Sequence, residues 1–177
     1  MPADQESLPT VNSARDGAAG SPTAVLLHLD GTENFAPPQD ELWTRLTDLS
    51  FLLRCMPDLD TVIATEPTRI VFKVRPGFSF VRGTLEITLD LIESRRPDLA
   101  RMRIVSKGVG SGVKLETTFT LTDAADSSAG RTRVAWSADI QEISGLLKPI
   151  GKSLIAAGAR KVIGDAFARV RAEMSSK

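Results

Sequence analysis

A change of hydrophobic period near residue 145 constrains the fold of this chain more than any other feature. Before it, across residues 60–140, six segments alternate apolar and polar residues and are separated by short turn sequences. After it, across residues 146–174, apolar residues recur at steps of three and four. Alternation predicts half-buried strands, and the longer spacing predicts an amphipathic helix. We therefore expect an antiparallel sheet followed by one long helix of about seven turns.

The segment before these strands adds one more strand and a pair of short helices. Residues 25–35 alternate, and Pro37 and Pro38 end the strand because proline cannot donate to a ladder. Across residues 40–55 the leucines recur at helical spacing, and Pro57 closes the segment. The expected fold is α+β: a helix-grip arrangement in which a curved seven-stranded antiparallel sheet wraps around the long C-terminal helix, with two short helices after the first strand.

Composition excludes several classes of function. Lys and Arg together number 22, and so do Asp and Glu, so the chain has no cationic excess with which to bind nucleic acid. A single cysteine, Cys55, and a single histidine, His28, exclude a disulfide framework and argue against a His/Cys metal site. One thiol fits a reducing compartment such as the cytoplasm. No apolar run reaches the length of about 18 residues that a membrane span needs.

Residues 1–23 differ in character from the rest of the chain. They are rich in Pro, Gly, Ala and Ser and have no apolar period, which predicts a disordered leader. They also lack the cationic start and apolar stretch of a signal peptide. The folded domain is expected to occupy residues 24–174.

Few side chains suit catalysis. His28 alternates with Asp30 and Thr32 on the side opposite Leu29, which predicts an imidazole facing water and not a general base. Cys55 follows a helical apolar run and is expected to be buried. The sequence contains no tyrosine, which removes the phenol that could protonate a carbonyl substrate. We expect no catalytic residue, no metal and no cofactor.

Glu33 is the one carboxylate that the alternation places on an inward face. A buried carboxylate has a raised pKa or needs a partner. Three arrangements are open. A bulge after Gly31 would turn Glu33 outward, an arginine could pair with it, or it could bind a ligand oxygen at one end of a cavity.

Two phenylalanines lie in the turn sequence RPGFSFVRG, residues 75–83. The alternation of residues 84–92, counted back through this turn, puts Phe78 and Phe80 on the polar face. A bulge near Gly83 would rotate both rings inside. Alternatively, a homodimer, an enzyme or a lipid surface would cover them, or they would curl over a cavity mouth as an apolar gate.

Three stretches share residues and order with a known family. Residues 35–60 carry a proline-rich segment before Trp43 and the sequence Arg-Cys-Met-Pro, and residues 107–123 carry Gly108 and Gly110. Residues 130–170 include the Gly-Leu-Leu start of the helical pattern. Together they resemble the carbon monoxide dehydrogenase G-subunit family, within the START and Bet v 1-like helix-grip superfamily (SRPBCC).

The resemblance implies an apolar cavity, no built-in cofactor, and association with molybdenum hydroxylases of the carbon monoxide dehydrogenase type. It also implies a role in membrane recruitment or in delivery of a lipophilic quinone. Glu33 departs from the pattern, since an apolar residue is usual at that strand position.

The combined prediction is a non-enzymatic carrier of a quinone-like or lipid-like molecule, cytoplasmic or peripheral at the inner face of the membrane. The expected ligand site lies on the inner face of the sheet, on the last helix and in the turn at residues 75–83. Its members are Glu33, Phe35, Phe72, Phe78, Phe80, Leu85, Ile87, Ile104, Leu115, Phe119, Trp136, Leu154, Gly158 and Phe167. Because glycine has no side chain, Gly158 would allow either close packing of the helix on the sheet or space for a guest molecule.

Two other functions remain open on the same fold. A polyketide cyclase-like enzyme would need a second polar group beside Glu33, for which Thr117 or Ser106 are the candidates. A pure adaptor for an oxidoreductase would have a fully packed interior.

Overall fold

The structure, a computed structural model, describes residues 23–78, 83–108, 110–124 and 131–176. Within them the elements are β1 (Leu27–Phe35), α1 (Gln39–Thr47), α2 (Leu49–Arg54), β2 (Leu59–Glu66), β3 (Arg69–Val74), β4 (Leu85–Arg95), β5 (Leu99–Gly108), β6 (Ser111–Asp123), β7 (Thr132–Gly145) and α3 (Lys152–Ser175). The described strands form one seven-stranded antiparallel sheet in the order β1-β7-β6-β5-β4-β3-β2. The predicted α+β architecture is confirmed, while most of the predicted leader lies outside the described residues.

The two short helices cover part of the apolar face of the sheet. Asp48 separates them because its backbone is extended, and its carboxylate caps α2 by accepting from the backbone N–H groups of Ser50 and Phe51 at 2.9 and 3.2 Å. Leu42 and Trp43 of α1 and the apolar residues of α2 are buried in the core. These helices therefore close one end of the sheet.

The last helix begins later than the sequence pattern predicts. β7 continues to Gly145, and α3 starts at Lys152, with Gly151 as its N-cap. Pro149 consequently lies before the helix, although it falls within the helical spacing of residues 146–174. Gly145 ends the strand at a φ of +64°, and a Cβ there would lie 1.7 Å from the Gly110 carbonyl oxygen. Only glycine fits where these two backbone segments cross. Its left-handed conformation turns the chain away from the helix that the spacing of apolar residues predicts to begin here.

The turn between β3 and β4 also departs from the prediction. The last residue pair joining these strands is Val74 with Leu85, and residues 75–78 lie outside any strand. Gly83 has a φ of +96°, which breaks the alternation. Extending the alternation of β4 back through this turn placed Phe78 on the polar face of a strand, and that prediction is therefore wrong. Phe80 lies outside the described residues.

Candidate functional site: the layer between the sheet and the last helix

One face of the sheet carries all the strand residues that the sequence predicts for the ligand site. Strand register places Ile87 opposite both Phe72 and Ser106, and Phe119 opposite Trp136, so these side chains share a face. The same face holds Glu33, Phe35, Leu85, Ile104 and Leu115. We call it the inner face, because the apolar stripe of α3 packs against it.

The orientation of α3 divides this layer into two ends. A guanidinium nitrogen of Arg160 donates to the Asp30 carbonyl at 3.4 Å, and Arg171 Nε donates to the Asn34 carbonyl at 3.4 Å. The helix therefore runs beside β1 in the same direction as that strand. Its second half lies over the end near Phe35, which we call the closed end. Its first half lies toward the opposite end, which we call the open end.

Aromatic packing fills the closed end. The Phe167 ring of α3 lies with its centroid 5.9 Å from Phe35, 6.2 Å from Phe119 and 6.4 Å from Trp136. Separations of 4.5–7 Å are typical of stabilising aromatic pairs. Leu121, on the same face of β6, is only 1% exposed. The large side chains at this end of the layer are therefore in close contact with one another.

Apolar side chains at the open end are less well covered. Leu85 and Ile87 of β4, Ile104 of β5 and Leu115 of β6 are all half-buried, although they lie on the same face as the closed end. Within α3, only Phe167 and Val170 in its second half are buried. The helix therefore leaves the β4–β6 side of the open end partly exposed, whereas Leu29 of β1 and Ile140 of β7 at the same end are buried.

The sequence of α3 explains this difference. Its sheet-facing stripe begins with Ala156 and Ala159 and continues with Ile163, Phe167 and Val170, at steps of three and four. Small side chains thus face the open end and large ones face the closed end. The helical pattern predicted from the sequence includes Gly158 but neither of these alanines. Extending the same spacing backwards from Phe167 would have found them.

Two predicted site residues of α3 do not join the others. Leu154 is 48% exposed. It lies thirteen residues before Phe167, roughly 140° away around the helix. Gly158 is half-buried and lies nine residues before Phe167, about half a turn from it. Leu154 is therefore corrected from a lining residue to a surface residue, because the true stripe includes Ala156 and Ala159 instead.

Glu33 faces inward and has a partner. Its carboxylate accepts a hydrogen bond from the Arg171 guanidinium of α3, which also lies 4.9 Å above the centroid of the Phe35 ring. Of the three arrangements that the sequence left open, arginine pairing is the one observed. Local sequence patterns do not identify Arg171 as the partner, because the pair joins residues 138 positions apart.

Two polar groups on the inner face lack hydrogen-bond partners among the described residues. They are the Thr117 hydroxyl and the Trp136 indole N–H, each belonging to a side chain that is 9% exposed. Thr117 lies opposite Ala138, two residues along β7 from Trp136, so the two side chains are diagonal neighbours. Leaving a buried polar group unpaired costs about 1–3 kcal/mol, so a further hydrogen bond at either group would be stabilising.

Gly31 makes room for the Trp136 ring. A Cβ at Gly31 would lie 2.6 Å from Trp136 Cζ2 and 2.9 Å from Nε1, closer than any normal contact. The indole therefore lies flat against the backbone of β1. This contact fixes the position of its N–H in the layer.

A groove of about 430 Å³ runs along the flank of α3 that faces the β3–β4 turn. Phe78, Gly77 and Pro57 form one side, and Val162 and Ala168 lie on the helix side with charged residues around them. Phe78 is half-buried. Its position beside α3 is compatible with the cavity-mouth arrangement that the sequence analysis left open.

His28 and Cys55 are poorly suited to catalysis. The His28 side chain is 55% exposed, and its hydrogen bond with Asp139, at 2.5 Å, raises its pKa above the ordinary value of 6.5. Cys55 is fully buried, and burial raises the pKa of its thiol to about 11, so the thiol stays protonated at neutral pH. The described residues contain no cluster of three His, Cys, Asp or Glu able to hold a metal.

Among the helices that the structure describes, none combines the length and hydrophobicity required to cross a bilayer.

An antiparallel sheet that grips a C-terminal helix, with two short helices after the first strand, defines the START and Bet v 1-like helix-grip class. Within that class, a family model for the G-subunit of carbon monoxide dehydrogenase (CoxG) matches residues 31–175. The chain therefore belongs to the CoxG family. No curated protein sequence matches the chain significantly.

Solved structures share this fold at low sequence identity. A conserved protein from Geobacillus kaustophilus has a TM-score of 0.75 at 19% identity, covering 84% of this chain and 95% of that one. A START superfamily protein from Mycobacterium smegmatis has a TM-score of 0.60 at 10% identity, covering 82% and 95%. The AHSA1 protein from Silicibacter pomeroyi has a TM-score of 0.58 at 12% identity, covering 84% and 98%.

Proposed function

We propose that this protein carries a quinone-like or lipid-like molecule between the open end of the sheet and the first half of α3. In this proposal it serves as an accessory protein to a molybdenum hydroxylase of the carbon monoxide dehydrogenase type. The observation that carries the proposal is the unequal cover of the inner face. Aliphatic side chains at the open end stay partly exposed above the alanines of α3.

The energetic argument is the burial of apolar surface. Covering apolar area contributes about 25 cal/mol per Å², so a hydrophobic guest that completes the cover of Ile87, Ile104 and Leu115 would bind favourably. Ala156 and Ala159 present smaller side chains to the sheet than a leucine or phenylalanine would. Apolar pockets with few polar groups are typical of small-molecule sites.

The unpaired polar groups suggest the chemistry of the guest. The Trp136 indole N–H can only donate, and the Thr117 hydroxyl can donate or accept, so both match a carbonyl oxygen. A quinone or an acyl lipid supplies that oxygen on an otherwise apolar body. Trp136 and Thr117 lie midway along their strands, where the closed end meets the open end. Both groups are covered, so a guest at the open end would reach them only if the first half of α3 shifted.

Glu33 supports a carrier over a cyclase-like enzyme. Its carboxylate is paired with Arg171 and lies beside Phe35 at the closed end, away from the least covered part of the inner face. A general base would need to reach a substrate proton. This pair instead contributes to the contact between α3 and β1.

Quenching of tryptophan fluorescence tests the ligand site directly. Decylubiquinone and oleic acid should each be titrated into the wild type, Ala159→Phe and a matched control, Ala172→Phe, whose position on α3 is exposed. We expect the wild type and the control to bind one of these probes, and Ala159→Phe to bind it at least tenfold more weakly. Equal binding by both variants, or a wild type that binds neither probe, would refute the proposed site.

Two substitutions on β6 test the proposed hydrogen bond between the Thr117 hydroxyl and the guest. Thr117→Val removes the inner hydroxyl, and Thr118→Val removes its neighbour on the outer face. Because one hydrogen bond contributes about 0.5–1.5 kcal/mol, Thr117→Val should weaken quinone binding by about two- to tenfold. Thr118→Val should leave it unchanged. Equal affinities for the two variants would remove Thr117 from the site.

The accessory role needs a separate measurement. Purified carbon monoxide dehydrogenase should be retained by the immobilised full-length chain, and bovine serum albumin should not. Failure of this binding would remove the partner assignment and leave the ligand site intact.

A further inference from the structure

The linker from β7 into α3 exposes apolar side chains at the open end. Leu146 is 67% exposed, the highest value for a large apolar residue in the described part of the chain, and Leu154 is 48% exposed. Pro149 between them is also exposed. We call residues 146–154 the tip. Its backbone is held in place, because the Leu146 N–H donates to the Gly110 carbonyl at 3.1 Å and Leu147 is only 8% exposed.

The tip carries a net positive charge. Between Glu142 and Asp165 the sequence has no acidic residue. Lys148 and Lys152 are exposed, and neither forms an ion pair with a described residue. Exposed leucines beside unpaired lysines fit a partner that is both acidic and apolar.

One segment of this chain has that composition. Residues 4–11, which we call the N-terminal segment, read Asp-Gln-Glu-Ser-Leu-Pro-Thr-Val and lie outside the described residues. Asp4 and Glu6 are acidic, Leu8 and Val11 are apolar, and the segment contains no basic residue. Residues 12–22, which follow it, are rich in Gly, Ala and Ser, a composition typical of linkers.

The chain enters the sheet at the end that leads to the tip. The Leu26 N–H donates to the Ile140 carbonyl at 2.8 Å, and from there β7 continues toward Leu146 over about 20 Å of strand. The twelve residues from Val11 to Thr23 can span about 40 Å when extended. The N-terminal segment is therefore long enough to reach the tip of its own molecule.

The other exposed apolar patch has the opposite charge. Val62 and Ile63 of the edge strand β2 are 45% and 50% exposed, but Asp58, Asp60 and Glu66 lie in or beside the same strand. These carboxylates would repel an acidic segment. The patch on β2 therefore provides a matched control for the tip.

We propose that the N-terminal segment binds the tip of the same molecule. Leu8 and Val11 cover the exposed leucines, and Asp4 and Glu6 pair with the two unpaired lysines. A short tether gives the segment an effective concentration in the millimolar range, so that weak contacts suffice. Another partner of the tip would have to displace the segment. The inference rests on exposure, charge and chain length, so it stands whether or not the protein carries a quinone.

Paramagnetic relaxation in the NMR spectrum of the full-length chain tests this contact. A nitroxide is attached through Ser7→Cys, while Cys55 stays unlabelled because it is fully buried and its thiol is protonated at neutral pH. The nitroxide should enhance the relaxation of the Leu146 and Lys148 amides strongly. It should affect the Ile63 amide on β2 much less.

Reversing the charges on both sides tests the pairing. Lys148→Glu/Lys152→Glu should reduce the enhancement at the tip about two- to tenfold, since each exposed ion pair contributes a factor of roughly 1.5 to 5. Adding Asp4→Lys/Glu6→Lys to the same chain should restore the enhancement. A merely structural effect of the lysine substitutions would not be rescued in this way.

Two control variants match these changes at other places. Ile63→Asp alters the apolar patch on β2, and Arg131→Glu/Arg133→Glu reverses two exposed charges near the start of β7. Both controls should show the same enhancement at the tip as the labelled parent chain, whereas Leu146→Asp should lower it.

Four results would overturn the proposal. They are no enhancement at the tip, equal enhancement at the tip and on β2, equal losses in the controls, and no rescue by the leader charges. Enhancement in ¹⁵N-labelled chains mixed with separate nitroxide-labelled chains would assign the contact to a second copy of the protein and also overturn it.

Discussion

The two ends of the inner face are built from the same strands, yet they are packed differently. On β6, Leu121 at the closed end is 1% exposed, whereas Leu115 at the open end is half-buried. At the closed end Phe167, Val170 and the short helices α1 and α2 complete the cover. At the open end the helix presents Ala156 and Ala159. The comparison teaches that one amphipathic sheet can support a fully buried core and a partly exposed apolar surface at once.

The largest effect that would test this comparison is truncation of a leucine at each end. Leu121→Ala should reduce the free energy of unfolding by about 2–5 kcal/mol, because it leaves a cavity in a closed core. Leu115→Ala should cost roughly half as much or less, since its side chain is already partly hydrated. Urea denaturation of the two variants measures the difference. Equal losses would mean that the open end is as tightly packed as the closed end.

A second pair of substitutions tests the contact between β1 and Trp136. Gly31→Ala should destabilise by about 1–3 kcal/mol, because the new methyl group overlaps the indole ring. Gly164→Ala is the control, since no atom lies within 4 Å of its added Cβ. That variant should be stabilised by up to about 1 kcal/mol, because alanine is the better helix former. Thermal unfolding followed by circular dichroism measures both.

A smaller effect is expected from the ion pair at the closed end. A double-mutant cycle of Glu33→Gln and Arg171→Met should give a coupling energy of about 0.2–1 kcal/mol, because both side chains remain partly solvated. Chemical denaturation of the four proteins provides the cycle. A coupling of zero would show that Arg171 acts through its packing on Phe35 alone.

The smallest effect concerns the ion pair on the outer face of β1, toward the open end. Asp139 raises the pKa of His28, so the imidazolium is favoured in the folded state. The resulting stabilisation is fully present below pH 6.5 and is lost as the pH rises through the higher folded pKa. Titration by ¹H NMR should give a midpoint above 6.5 for His28, and Asp139→Asn should lower it. An unchanged midpoint would contradict the assignment.

Local pattern predicted most of the elements, and it failed where distant segments meet. The alternation of β1 placed Glu33 inward correctly, but its partner Arg171 comes from the far end of the chain. The late start of α3 depends on Gly145 crossing Gly110, a contact between two turns. Gly83 broke the alternation on which the position of Phe78 depended. Periodicity carries no information about such crossings.

The sequence by itself determined which segments form strands and helices and which side of each is apolar, because the covalent geometry of the chain imposes periods of 2 and 3.6 residues. Only the tertiary structure decided that α3 lies along β1 with its alanines over the open end and Phe167 over the closed end. The size of the layer between helix and sheet depends on how side chains from distant segments fit together. That fit arises only when the segments pack.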